Sequence, residues 1–208
     1  MSRKLAATSA VSPAVRQATP RTLSVDAVVT AALQIAEADG LSGVTLGRVA
    51  RKLGCHVTSL YTHVDSIDDL HVRMAVVVQS ELAQLLWRAA LGAEREGALR
   101  RLAVVYRDFG ESSPVRSRLL FALTTTKDPR FRTGGQYLAE PIRATLGSFG
   151  LDDEQVRHAH RAFGSAMRGF LLAQAEGQYS DDADDTFEAI VSLFTAALTA
   201  GNWPGGSG

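Results

Sequence analysis

The run 45–64, TLGRVARKLGCHVTSLYTHV, sets hydroxyl, imidazole, phenol and guanidinium groups side by side. No spacing in it makes a metal site or an activated nucleophile. The single cysteine, Cys55, excludes an intramolecular disulfide and a multi-thiolate metal centre. The whole chain lacks a Walker loop, a GxGxxG after a strand, HExxH, GxSxG and CxxC. What these groups can do is form hydrogen bonds along a helix surface.

The elements that hold them are legible. Thr45 caps a short helix with Val49, Ala50 and Leu53 facing inward, and Gly54 supplies a left-handed turn. A further helix runs from about Val57 to Val64 with Leu60 inward. His56, Val57, Thr58, Ser59, Tyr61 and Thr62 are left on its outer side. Two short helices on a tight glycine turn make a helix-turn-helix, whose second helix fits the major groove of DNA. The expected contacts are Tyr61 and His63 with phosphates, and Val57, Thr58, Ser59 and Thr62 with bases. Thr45 and Arg48 stand at a helix N-terminus, where free N–H groups suit phosphate, and Arg48 has a base edge as its other target. Residues 55–64 contain no Lys, Arg, Asn or Gln. The bidentate guanine and adenine contacts are therefore closed to this helix, and readout falls to threonine methyls and hydroxyls, Arg48 and DNA shape.

The flanking elements predict an all-α chain with no strand-type alternation. Ser24 caps a first helix with the stripe Val25, Val28, Val29, Ala32, Ile35 and Ala36, closed by Gly40. Ser66, with Asp69 at the capping-box position, opens a long helix to about Leu91. Later helices are expected over about 96–109 (closed by Gly110), from Ser113-Pro114, over about 137–149 (started or kinked by Pro141), from Asp152 to about Glu176, and over about 185–200. Residues 1–22 read as a flexible arm, 23–68 as the helix-turn-helix domain, 69–200 as a helical effector-binding and dimerisation domain, and 201–208 as a flexible tail.

Composition bounds the rest. The chain has 208 residues, 46% hydrophobic and 21% charged, which fits a soluble globular protein. No apolar run is long enough for a bilayer span and none resembles a secretory signal, so a cytoplasmic location is expected and no membrane contact. The formal net charge is zero. Residues 1–64 are nevertheless basic, with Arg48, Arg51 and Lys52 among them, and 151–208 are acidic. A polyanion would meet the N-terminal part.

The spaced set Thr45, Ala50, Gly54, Leu60-Tyr61, His63-Val64, followed by Ser66, Asp69 and Leu70, resembles the DNA-binding domain of the tetracycline-repressor (TetR) family over about residues 22–75. The Leu-Tyr-x-His-Val ending is similar to that of the tetracycline repressors themselves. The resemblance implies a homodimeric, ligand-responsive transcription regulator. It would be a repressor on a palindromic operator, with a small-molecule pocket and a four-helix dimer interface in its C-terminal helices. Two positions depart from the family pattern: Ile67 replaces a usual lysine, and Cys55-His56 replaces a small aliphatic residue and serine.

For the pocket, the aromatic and polar residues Trp87, Tyr106, Phe121, Thr125, Tyr137, Phe163 and Met167 suit an apolar cavity with a few orienting groups. For the dimer interface, the stripe Phe187, Ile190, Val191, Phe194 and Leu198, with Phe170, is too apolar for one helix pair and is expected to meet a second subunit. No cofactor and no metal is expected, and the chain is not read as an enzyme. The other classes consistent with the sequence are a ligand-independent DNA-binding adaptor and an enzyme built in the C-terminal helices.

Overall fold

The structure is a computed structural model that describes residues 23–123, 126–179, 181–201 and 203. The arm 1–22, Thr125 and most of the tail 201–208 lie outside the described residues. Among the described residues every regular element is a helix. They are α1 (Val25–Asp39), α2 (Leu46–Leu53), α3 (Val57–Leu60), α4 (Ile67–Ala90), α5 (Arg95–Ser112), α6 (Pro114–Ala122), α7 (Pro129–Gly147), α8 (Asp153–Ala175) and α9 (Ala183–Thr199).

Helix starts follow the caps read from sequence. Ser24, Thr45 and Ser66 each accept a backbone N–H from three residues ahead. Asp152 and Gln155 form a reciprocal capping box at the start of α8. Gly54 closes α2 in the left-handed region, φ 69°, which glycine adopts without steric cost. α3 is shorter than the Val57–Val64 expectation. It ends at Leu60 and continues as a turn in which the His63 and Val64 N–H groups both bond the Leu60 carbonyl.

One helix end and one helix start differ from the sequence reading. Gly110 was expected to end a helix, but α5 runs through it to Ser112. Its role is close approach: a Cβ at Gly110 would lie 2.5 Å from Leu171 Cδ2 on α8. α7 begins at Pro129, eight residues before the expected start, and Pro141 lies inside it. Asp128 caps it through the Arg130 N–H, and Pro129 sits at its first turn, where a missing N–H costs nothing. The pair Gly134-Gly135, which looks like a helix breaker, lies within α7 where it crosses Gln79 of α4.

A continuous apolar core joins the N-terminal helices to the rest. Val28, Val49 and Leu60 at one end and Leu82, Leu99, Phe163 and Met167 at the other are nearly or completely buried within it. α4 is the central member, packed against α1, α5, α6 and α7. The helix that leaves the helix-turn-helix is therefore also a wall of the C-terminal bundle. Trp203 stacks on Phe194 of α9 with ring centroids 5.8 Å apart.

Candidate nucleic-acid interface and ligand cavity

The outer surface of α2 and α3 is built by exclusion. Val49, Ala50 and Leu60 fill the core, and the helical repeat then turns the intervening residues outward. Val57 is 37% exposed and Tyr61 55%, four residues apart. His56, Thr58 and Thr62 are exposed, and Ser59 and His63 half-buried. Thr62 Oγ1 donates to the Ser59 carbonyl at 2.8 Å. Its hydroxyl hydrogen is thus already committed, and its methyl group is the part offered outward. Thr45 is engaged as the α2 cap. Arg48 bends back, donating to the Gly43 carbonyl at 3.1 Å and pairing with Asp39. Both members of that ion pair are well solvated, so the pair is weak and phosphate can displace it.

Polar clasps tie this surface to the bundle. Asp69, on the first turn of α4, is largely buried. Its carboxylate accepts the Asp65 N–H at 3.1 Å and Arg73 Nε at 2.8 Å, and pairs with Arg130 of α7 at 2.7 Å. Burial alone would raise its pKa. The bonds from Arg73, the Asp65 N–H and Arg130 outweigh burial and hold it below the usual carboxylate range. Arg116 of α6 joins Glu37 of α1 and Glu81 of α4.

Beneath these clasps lies a cavity of about 410 Å³ bounded by α4 through α8. Its apolar walls are Leu120 and Phe121 of α6 and Phe131 and Leu138 of α7. Its polar groups are Gln79 of α4, Tyr106 of α5, and His160, Arg161, Ser165 and Arg168 of α8. Burial pushes the Tyr106 hydroxyl pKa up, with Arg168 opposing, so the phenol stays protonated at neutral pH. Burial pushes the His160 imidazole down, helped by the charges of Arg143 and Arg161. Gln79 is 2% exposed; its Nε2 donates to the Phe131 carbonyl at 3.2 Å, while its Oε1 is buried without a partner. A second hollow of about 500 Å³ lies on the other side of the α4–α7 contact, lined by Val76, Ser80, Thr133 and Tyr137.

The sequence profile described as "Tetracyclin repressor-like, C-terminal domain" matches residues 99–194. HTH-type transcriptional regulator Rv0681 of Mycobacterium tuberculosis is 31% identical over 192 residues, spanning 91% of this chain and 88% of that protein. The chain belongs to the TetR family. HTH-type transcriptional repressor DrrR1 of Streptomyces coeruleorubidus is 44% identical over 78 residues, 35% of this chain and 29% of that protein. Among solved structures, apo ActR of Streptomyces coelicolor superposes with a TM-score of 0.66 at 21% identity, over 86% of this chain and 98% of that one. A Rhodococcus protein superposes at 0.74 with 15% identity, over 90% and 100%. These likenesses establish the shared all-helical fold. As a TetR-family transcriptional regulator, the chain binds DNA.

Within this TetR-family chain the sequence candidates separate into groups. Thr45, Arg48, His56, Val57, Thr58, Ser59, Tyr61, Thr62 and His63 lie together on or beside α2 and α3. Of the pocket candidates, Tyr106 and Phe121 line the cavity. Phe163 and Met167 are buried core, Tyr137 lines the second hollow, and Trp87 borders neither. Gln79 carries no sequence signal that marks it as a cavity residue, whereas Phe131 belongs to the set of C-terminal aromatics that suits a cavity wall. The α8 set was legible as a period: His160, Gly164 and Arg168 recur every four residues, with Arg161 and Ser165 alongside.

The interface candidates face inward. Phe170, Phe187, Val191 and Leu198 are almost completely buried within the single chain, because α5 and the α8–α9 contact cover them. Arg107 of α5 lies over the Phe187 ring at 4.9 Å. Ile190 and Phe194 are half-buried. The outward side of this helix pair carries small and apolar residues instead: Ala162, Gly169 and Leu172 on α8, and Ala189, Leu193 and Ala196 on α9. Leu193 is 71% exposed.

Among the described residues no helix is long and apolar enough to cross a membrane, and no cluster of His, Cys, Asp or Glu is placed to hold a metal ion.

Proposed function

We propose that the chain is a cytoplasmic, ligand-responsive repressor that binds a palindromic operator as a homodimer and leaves it when a small molecule enters the cavity under α4. The observation that carries this reading is the double duty of α4. Its first turn follows the helix-turn-helix, and its middle supplies Gln79 to the cavity. A ligand favouring a conformer with α4 displaced shifts both recognition surfaces, and it acts only through its differential affinity for the two conformers. The Arg130–Asp69 and Arg116–Glu37 pairs give this displacement its mechanical route. ActR has been solved in complex with actinorhodin and with (S)-DNPA, which supports effector binding in this fold.

The proposed division is a helix-turn-helix domain over 23–68 and an effector and dimerisation domain over 69–200. Base contacts come from Val57, Thr58, Ser59 and Thr62, and phosphate contacts from Thr45, Arg48, His56, Tyr61 and His63. The partner subunit meets the outward side of α8 and α9 around Leu193. Small side chains there let helices approach closely, in an isologous two-fold contact. Two-fold symmetry then sets the two α3 segments about 34–36 Å apart, one turn of DNA.

The test is selection of duplexes from a random pool by the full chain, followed by sizing of free and bound protein. A palindromic consensus bound by two subunits supports the reading. A monomer that selects no sequence at low salt removes it. Retention on the consensus under every metabolite fraction offered, with ligand bound, would instead favour the ligand-independent adaptor.

A further inference from the structure

The cavity's polar groups are one-sided. Its lining has two guanidinium groups, Arg161 and Arg168, a protonated phenol, Tyr106, and no carboxylate among the described residues. Elsewhere among the described residues, the half-buried Arg73, Arg107 and Arg116 are each paired with carboxylates, while exposed arginines such as Arg118 and Arg143 are not. Arg161 and Arg168 have no ion-pair partner among the described residues, although Arg168 is half-buried. A half-buried guanidinium without a counter-ion is a standing demand for an anion. Leu120, Phe121, Phe131 and Leu138 make the rest of the lining apolar, which suits an aromatic body. The Gln79 amide oxygen takes no part in this, because it is shut off from the cavity against Gly134 of α7.

We propose that the cavity takes an aromatic carboxylate. The carboxylate sits on Arg168, with the Tyr106 hydroxyl nearby and Arg161 two turns away along α8. This assignment rests on the ligand-responsive reading above and names its ligand class. A cationic ligand is disfavoured by the same lining, since nothing there neutralises a positive charge.

Three probes of one size test it on the full-length protein by calorimetry: 2-naphthoate, its neutral primary amide, and 2-naphthylmethylammonium. The carboxylate is expected to bind at least about tenfold more tightly than the amide, and the ammonium not at all. Arg168→Met removes that preference and Arg168→Lys keeps most of it. Equal or tighter binding of the amide or ammonium overturns the ligand class but leaves ligand control standing. An anion preference that survives Arg168→Met overturns the assigned site. No binding of any probe at millimolar concentration overturns the proposal, and retention on the operator under every metabolite fraction would separately sink ligand control.

Discussion

Replacing Gly134 by alanine puts a methyl group where the Gln79 amide sits. A Cβ there falls inside van der Waals contact of Gln79 Oε1 and lies 3.2 Å from Cδ. Gln79 is buried, so its amide escapes only by swinging toward the cavity it lines. Alanine's helix propensity by itself stabilises α7 by about 1 kcal/mol. The swing breaks the Nε2 bond to the Phe131 carbonyl and strands a buried polar group, costing about 1–3 kcal/mol. An off-rotamer side chain adds about 1 kcal/mol. The balance is a net loss of about 1–3 kcal/mol, which lowers Tm by roughly 2–12 °C for a chain of this size. Urea and thermal unfolding at fixed protein concentration measure it, since association shifts the apparent value. In a Gln79→Ala background the same Gly134→Ala change becomes neutral, or stabilising by up to about 1 kcal/mol. If Gly134→Ala raises Tm in the unaltered chain, or costs the same in both backgrounds, the steric reasoning is wrong.

Leu193→Asp places a charge in the proposed two-fold contact. The dimer Kd should rise at least about a hundredfold, seen by sedimentation, with operator affinity falling in step; an unchanged dimer refutes the α8–α9 interface. Arg48→Ala should weaken operator binding and flatten the log–log salt dependence by about 2 units for a dimer, whereas Asp39→Asn, which frees Arg48, should tighten binding. An unaltered slope removes Arg48 from the phosphate contacts. Arg130→Gln releases both Asp69 and Asp128; Arg130 holds the latter at about 2, against an ordinary 3.8. A depressed carboxylate pKa contributes stability that is present above the ordinary value and lost as pH falls through the folded one. The stability gap between the two chains should therefore be full at pH 5 and close toward pH 2, and a gap constant across that acid range counts against the clasp.

The N-terminal helices were readable because their signals are local. Ser24, Thr45 and Ser66 mark starts through hydrogen bonds three residues long, and Gly54 marks a stop by its own backbone. Tertiary contacts defeated the same rules further along. Gly110 has the sequence signature of a helix end, yet it lies inside α5; glycine stands there because Leu171 of α8 occupies the room a Cβ would take, as Gln79 does at Gly134 of α7. Hydrophobic periodicity finds buried stripes without naming what buries them. The Phe187, Val191 and Leu198 stripe was therefore read as partner-facing when the chain itself covers it. The cavity was half legible. Tyr106 and Phe121 declared themselves as large aromatics, whereas Gln79 is one amide on a long helix and gains its meaning only from its position beside Phe131 and Gly134.

The contact between Gly110 and Leu171 makes the order of mutation matter. A lineage that first acquires alanine at 110 must force the buried Leu171 out of its place, a step costing about 1–3 kcal/mol. One that first shortens Leu171 opens a void that the later methyl group partly refills while improving the helix. The first step costs about 1–3 kcal/mol by one route and, for truncation to alanine, about 2–5 kcal/mol by the other, and the second step on either route recovers part of the loss. Once both are fixed, return to leucine at 171 is blocked until glycine returns at 110.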